Sequence, residues 1–417
     1  MPKIAQIFLL MSALAFAAAC GGDSGASSAD GNETGDGSGG PAADGSSGSG
    51  AVGDEDSASA AAVETYGRIV SATYEDTVSA ARDLDSAIDA FLEDPSEAGL
   101  ESARQAWRDA REPYLQTEVF RFYDGPIDHA EDGVEGFINA WPLDEHYIDY
   151  VEGDESSGII NDPTEAIDAD SLLGLNEAGG EKNIATGFHA IEFLLWGQDH
   201  DDEGPGDRPY TDFVDGGSAE NQDRRRSYLA TISDLLVMHL EQVAASWAEG
   251  ESNYRADFEA MDPNSALERI LTGMIVLSGF ETGGERLQTA LDTGDQEDEH
   301  SCFSDNTHRD MIQDIRGIQN VLLGSYTRID GGVVEGTGIL GVMEVLDAEL
   351  AGRVADRVAA SLELAESLQP PFDREIVIGN DDGRSRVEAL VDSLRKQEED
   401  LAEVFEMLGL SVEIPEA

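Results

Sequence analysis

Lysine is almost missing from this chain of 417 residues: Lys3, Lys182 and Lys396 are the only ones. Against 87 acidic residues stand 25 Lys and Arg, so the formal net charge is -62. A surface of that sign repels nucleic-acid phosphates, which excludes nucleic acid as a partner, and it cannot dock on an anionic membrane by charge. It suits a very soluble protein of a salty environment that attracts cations loosely. Most of its acids read as solvated surface, not as metal sites. Cysteine is as scarce, with only Cys20 and Cys302, which argues against a disulfide framework. The N-terminal apolar run, Ile4 to Phe16, is too short to cross a bilayer as a helix. Strand signals are confined to a possible short strand at 375–378. The Gly-rich stretch at 331–341 lacks the Lys-Ser/Thr end of a phosphate loop, and Asp201, Asp202 and Glu203 lack EF-hand spacing.

What is present starts with a leader. Lys3 gives a positive end and the apolar run after it has signal-peptide length. Ala17, Ala18 and Ala19 lead directly into Cys20, small residues before a Cys that resemble a bacterial lipoprotein cleavage site, with Ala17 where Leu is commoner. Residues 1–20 are therefore read as a lipoprotein signal peptide with Cys20 as the lipidated residue. The other reading is ordinary cleavage after the Ala run. Residues 21–59 are Gly, Ser, Ala and Asp with almost nothing to bury, a disordered acidic tether.

From residue 60 the pattern becomes helical. Tyr66, Ile69, Val70, Tyr74, Val78, Leu84, Ile88 and Phe91 repeat at helical spacing. Ser96 is placed to cap a second helix over 100–122, which Pro113 should bend or restart. Glu118 lies near its apolar face, although an exposed carboxylate is the plainer reading there. Residues 123–180 are broken repeatedly by Gly and Pro and hold short helices at most, one of them near 143–151; His129 and His146 lie there as surface or packing residues. Later come long helices over 224–247, 265–291, 339–368 and 384–408. The fold class is all-α, with two packed helical bundles, 60–222 and 223–417, behind the leader and tether.

One helix organises the rest. Asn183 to Asp199 is apolar on nearly every face, which places it inside a bundle, with Asn183 as candidate N-cap and Gly197 as the stop. His189 and Glu192 share one of its faces at i and i+3. An imidazole and a carboxylate in an apolar interior need partners. They could be each other's, a shared metal could bind both, or neighbouring helices could supply polar groups. Gly187, just before the pair, suits a close approach of backbone or ligand. No second His follows at i+4, so this is not the HExxH zinc signature. Glu281 and Glu285, i and i+4 in the second buried helix, are the next candidates to point inward, with a Glu–Arg tie to Arg286 as the rival reading. Cys302 reads as a buried free thiol. Ser304 or Asp305 should cap the helix that follows it.

Gly187-x-His189-x-x-Glu192 resembles the GxHxxE signature of the imelysin-like family, closest to its iron-regulated protein A group. Three further stretches match that group: FRFYDGPID at 120–128, EGFINAWPLD at 135–144 and CFSDNTH at 302–308. The resemblance covers 60–417. It implies an all-helical protein of two bundle-like halves with the motif helix inside, located in the bacterial envelope, periplasmic or outer-membrane facing, and tied to iron acquisition. On that reading the chain binds iron or an iron chelate, with zinc as the other metal. It meets the membrane only through its lipid anchor, and an envelope transporter is a possible partner. His189 and Glu192 would hold the metal, with Glu118, Glu281 and Glu285 as further donors. Oxygen donors with one imidazole suit iron better than thiolate sites do. Two readings stand beside this one. In the first, a metallopeptidase, a metal at His189 activates water with Glu192 as ligand or base. In the second, a metal-free scaffold, the pair is only structural.

Overall fold

The structure, a computed structural model, describes residues 49–200 and 204–410. The leader, Cys20 and most of the tether lie outside the described residues, as does Asp201–Glu203 of the acidic run. The first helix, Ser49–Glu93, begins ten residues before the end assigned to the tether. Ser59, Ala62, Val63 and Tyr66 pack inward and hold the turns onto which the upstream residues add. Ser96 caps the second helix, Glu97–Leu115, by accepting the Gly99 N–H at 3.3 Å. Pro113 sits inside that helix, which ends two residues later and gives way to a 3-10 turn, Glu118–Phe120.

The motif helix is shorter than its apolar pattern. It spans Gly187–Trp196, with Thr186 and not Asn183 at the N-cap position and every residue of it buried. The helices Gln222–Ser246 and Glu97–Leu115 pack against it, and Pro263–Ile275, Thr307–Leu323, Ala348–Glu366 and Asp381–Met407 follow along the chain. The helix Pro263–Ile275 does not continue as an α-helix. Val276–Gln288 winds as a π-helix, with Thr289–Thr293 returning to α. The 339–368 pattern splits at Asp347, whose carboxylate caps Ala348–Glu366. A small antiparallel pair, Ser325–Thr327 with Val333–Glu335, closes the Gly-rich connection. The strand expected at 375–378 is instead a helical turn, Asp373–Ile376. With no neighbouring strand its backbone groups would go unpaired, whereas the turn lets Val377 N–H donate to the Asp373 carbonyl at 3.0 Å.

Residues Asp54–Ala417 form one compact unit. Its main apolar core joins residues from before and after position 222: Tyr66, Phe120 and Phe188 share it with Leu271, Met274 and Val354. A smaller core gathers Leu287, Met311, Phe372, Val387 and Leu394. Among the described residues no helix is long and apolar enough to cross a membrane. The described residues are all-α apart from the two short strands.

Candidate functional site

The motif helix is pinned along its length before its polar residues are considered. Trp107 Nε1 donates to the Phe188 carbonyl at 2.9 Å, and Arg104 Nε donates to the Leu195 carbonyl at 3.0 Å. Its start requires glycine: Gly187 has φ +89°, and a Cβ there would lie 2.5 Å from the Ile138 carbonyl oxygen. The sequence-based expectation of a close backbone approach is met, at the mouth of the helix. Gly197 ends the helix with φ +75°.

His189 and Glu192 are 1% and 0% exposed. They are each other's partners: His189 Nδ1 lies 2.9 Å from Glu192 Oε2. Glu192 Oε1 accepts both the N–H and the hydroxyl of Ser304, at 3.0 and 2.6 Å. His189 Nε2 is buried and makes no hydrogen bond. The His189 ring meets that of His300 edge to face, centroids 4.9 Å apart. His300 repeats the arrangement, its Nδ1 lying 2.8 Å from Asp310 Oδ2. The same oxygen accepts Ser301 Oγ at 2.5 Å and Arg111 Nη2 at 3.1 Å, while Asn306 Nδ2 donates to Oδ1 at 3.1 Å. Arg111 also donates to Asn139 Oδ1 at 2.5 Å and lies over the Phe188 ring. Two imidazoles are thus each gripped through Nδ1 by a carboxylate, the arrangement by which metal-binding histidines are oriented.

Burial and the Arg111 guanidinium hold His189 well below the usual histidine value, and burial brings His300 down to about 4. Both rings are neutral at physiological pH. Burial pushes the Glu192 carboxyl up to about 8, partly eased by Ser304. Burial works on Asp310 too, but Arg111 and His300 outweigh it and keep the carboxyl well below the usual range. When Glu192 is protonated, Ser304 occupies Oε1, so Oε2–H donates to His189 Nδ1 and the lone N–H sits at Nε2. When it is ionised, Nδ1–H donates and Nε2 offers a lone pair to the interior. Only the second state can coordinate a cation. Cys302 is a buried free thiol, as expected, and burial beside Glu192 pushes it well above its usual value.

Glu118, Glu281 and Glu285 do not join this pair. Glu118 is fully buried, not exposed, but its Oε2 accepts from Arg286 at 2.5 Å and Arg121 at 2.6 Å. Those guanidiniums outweigh burial and hold it down at about 2. Glu281 pairs with Arg286 at 2.9 Å, the Glu–Arg tie. Glu285 is exposed. Arg286 also donates to Asp314 at 2.9 Å, so Glu118, Glu281 and Asp314 surround one guanidinium. His129, His146 and His200 are at the surface, and His239 is buried against the Phe137 ring at 5.2 Å.

The sequence reading missed His300, Asp310, Ser304 as a partner of Glu192, and Arg111. Two signals were there. Arg111 sits between Trp107 and Tyr114 on the apolar stripe of its helix, and Ser304 lies within the CFSDNTH stretch. Ser304 and Asp305 do not cap the next helix. Asn306 holds the cap position without a side-chain bond, and Ser304 faces the motif helix instead. A groove of about 430 Å³ lies on the outer side of this loop, lined by Ser304, Asp305, Asn306, Arg108, His308 and Pro370 among others.

Comparison with known proteins agrees with these observations. The imelysin family model matches residues 70–401. Iron-regulated protein A of Synechococcus elongatus is 26% identical over 266 residues, and the alignment covers 60% of each chain. A solved structure from Parabacteroides distasonis, designated an iron-regulated protein A precursor, superposes with TM-score 0.68 at 19% identity, covering 85% of this chain and 95% of that one. An imelysin-like protein from Psychrobacter arcticum does so with TM-score 0.58 at 12% identity, covering 87% and 98%. These two likenesses are likenesses of fold. With the family model spanning most of the chain and the motif pair lying in its interior, the chain belongs to the imelysin family.

Proposed function

We propose that this protein is anchored in the bacterial envelope through a lipid on Cys20 and captures iron, or a small iron-bearing ligand, for iron acquisition. The observation that carries the reading is the His189 Nε2: a buried ring nitrogen without a hydrogen bond, on an imidazole that a carboxylate holds in place. Leaving such a polar atom unpaired is costly unless something occupies it. His300, ring to ring with His189, is the natural second nitrogen donor, and imidazole suits iron as well as zinc. Glu192 and Asp310 then act behind the rings, fixing their orientation, and Glu118 and Glu281 are occupied by guanidiniums. The name of the Synechococcus relative, iron-regulated protein A, points the same way. A hydrolase has less support, because Glu192 spends both oxygens on Ser304 and His189 and the pair is sealed from any substrate cleft.

The test is metal analysis of the full-length chain after equilibration with ferrous iron, with zinc as competitor. About one equivalent of iron should be retained by the wild type, and His189→Ala and His300→Ala should each lose it while keeping their helical content. Equal retention in wild type and His189→Ala would sink the proposal. The anchor is tested separately: Cys20→Ser should move the protein from the membrane fraction to the soluble one.

A further inference from the structure

Few side chains close off the two imidazoles. Among the described residues, those in hydrogen-bond or ring contact with them are Glu192, Asp310 and Trp141. Both acids are wholly buried, and Trp141 alone is partly exposed. Its indole meets the His300 ring edge to face, centroids 5.7 Å apart, and its Nε1 donates to the Glu299 carbonyl at 2.9 Å. One side chain therefore reaches from solvent to the His300 ring, which touches that of His189. The groove beyond Ser304 is a poorer approach. It ends on the serine that holds Glu192, and Glu192 takes up Nδ1 of His189, not the open Nε2. Nor is Trp141 built into a helix. It lies in the segment 140–143, between two four-residue helical turns, Glu135–Ile138 and Glu145–Ile148. The segment is fixed at its ends, by Asn139 on Arg111 and by Asp144, whose N–H donates to the Lys182 carbonyl at 2.8 Å. Between those ends the indole's is the one hydrogen bond that residues 140–143 make among the described residues.

We infer that Trp141 is the gate to the imidazole pair, swinging out with segment 140–143 to admit a metal ion. Segments with few backbone hydrogen bonds are those that open locally. Opening here breaks one hydrogen bond and one ring contact and leaves the motif helix, with all its residues buried, in place. A gate one side chain wide passes a bare or partly hydrated ion, not a haem or a bulky chelate. It also acts on rates and not on affinity: entry and exit use the same opening, so both change by the same factor. That the cargo is metal rests on the proposed function; that His300 is reached past Trp141 does not.

The test uses the full-length chain and two probes. Diethyl pyrocarbonate acylates a neutral imidazole at a free ring nitrogen, and with Nδ1 of His300 held by Asp310 that nitrogen is Nε2. Acylation of each histidine is followed by peptide mass. Trp141→Ala should speed the reaction at His300 by about tenfold or more, and Trp141→Phe, which keeps a ring but loses the indole bond, by less. Buried His239 should react as it does in the wild type. Ferrous iron, mixed in the absence of oxygen, is the second probe. In Trp141→Ala its loading ceiling and its release rate should rise by the same factor, with the amount retained at equilibrium unchanged. Arg108→Ala, which widens the groove beside Ser304, should alter neither probe. Equal acylation of His300 in wild type and Trp141→Ala would overturn the inference. So would a matching acceleration at His239, which would mean general loosening, or at His300 in Arg108→Ala, which would put the entrance in the groove. Haem bound by the wild type through His300 would overturn it too. A wild type that retains no iron, beside a Trp141→Ala variant whose His300 reacts quickly, would sink the metal reading and keep the gate.

Discussion

His189 and Gly187 show how a single position can fix a whole site. The glycine's left-handed backbone puts the chain against the Ile138 carbonyl and starts the helix in the right phase, so the imidazole two residues on points at His300. Gly187→Ala should cost about 3 kcal/mol, from positive φ and a Cβ without room, read as a lower denaturation midpoint with unchanged slope. Metal capture at Nε2 needs the ionised form of Glu192, whose carboxyl is held up at about 8. Near pH 7, then, each ion taken up should release about one proton, measurable by calorimetry in buffers of different ionisation heat. Release of none would mean the ion binds elsewhere. At this scale the sequence was legible where partners are one helical turn apart. The His–Glu bond is one of the three partnerships that the i, i+3 spacing allows, and the close approach at Gly187 is the backbone one of the two that the sequence offers. His300, Asp310 and Arg111 come from distant segments, and no local periodicity connects them.

Helix against helix, small residues decide the distances. Gly317, in Thr307–Leu323, lies so close to Gln116 that an added Cβ would sit 2.7 Å from its carbonyl oxygen; Gly273 packs still more closely on Val119. Gly317→Ala should push two helices apart and cost about 1–3 kcal/mol. The π-helix Val276–Gln288 brings Thr282 and Arg286 together onto Asp314. Arg286→Met would leave Glu118 and Asp314 buried with no guanidinium between them, and a loss of about 3–5 kcal/mol is expected in chemical denaturation. A smaller loss than from Gly317→Ala would show that the acids simply take up protons. The positions of the long helices could be read from apolar repeats because burial is periodic along them. The π-helix could not: an apolar stripe reports that a face is buried, not how many residues each turn uses.

For the molecule as a whole, charge sets the balance. A net charge of -62 makes the chain repel itself, so its melting temperature should rise as sodium chloride screens that repulsion. Titration adds a second dependence. Burial holds Glu192 up at about 8, and Glu145 and Asp314 at about 7, so the native state keeps protons that the unfolded chain gives up near pH ~4. Stability from these groups is lost as pH rises from ~4 through about 7–8. Glu118, held at about 2, works in the opposite sense: its contribution is present above pH ~4 and lost as pH falls toward about 2. Without added cations the melting temperature should therefore peak on the acid side of neutral, near pH ~5, and a maximum at pH 8 would contradict these shifts. Apolar spacing made the all-α class legible at this scale. It said nothing of where charge is buried, since 87 acids look alike in a sequence and only packing separates the solvated from the sealed. That seal has a kinetic consequence. With His189 at 1% exposure, any ion reaching its outer nitrogen waits for the protein to breathe, so loading should approach a ceiling rate that more metal cannot raise, and unloading should be slow unless another molecule pries the wall open.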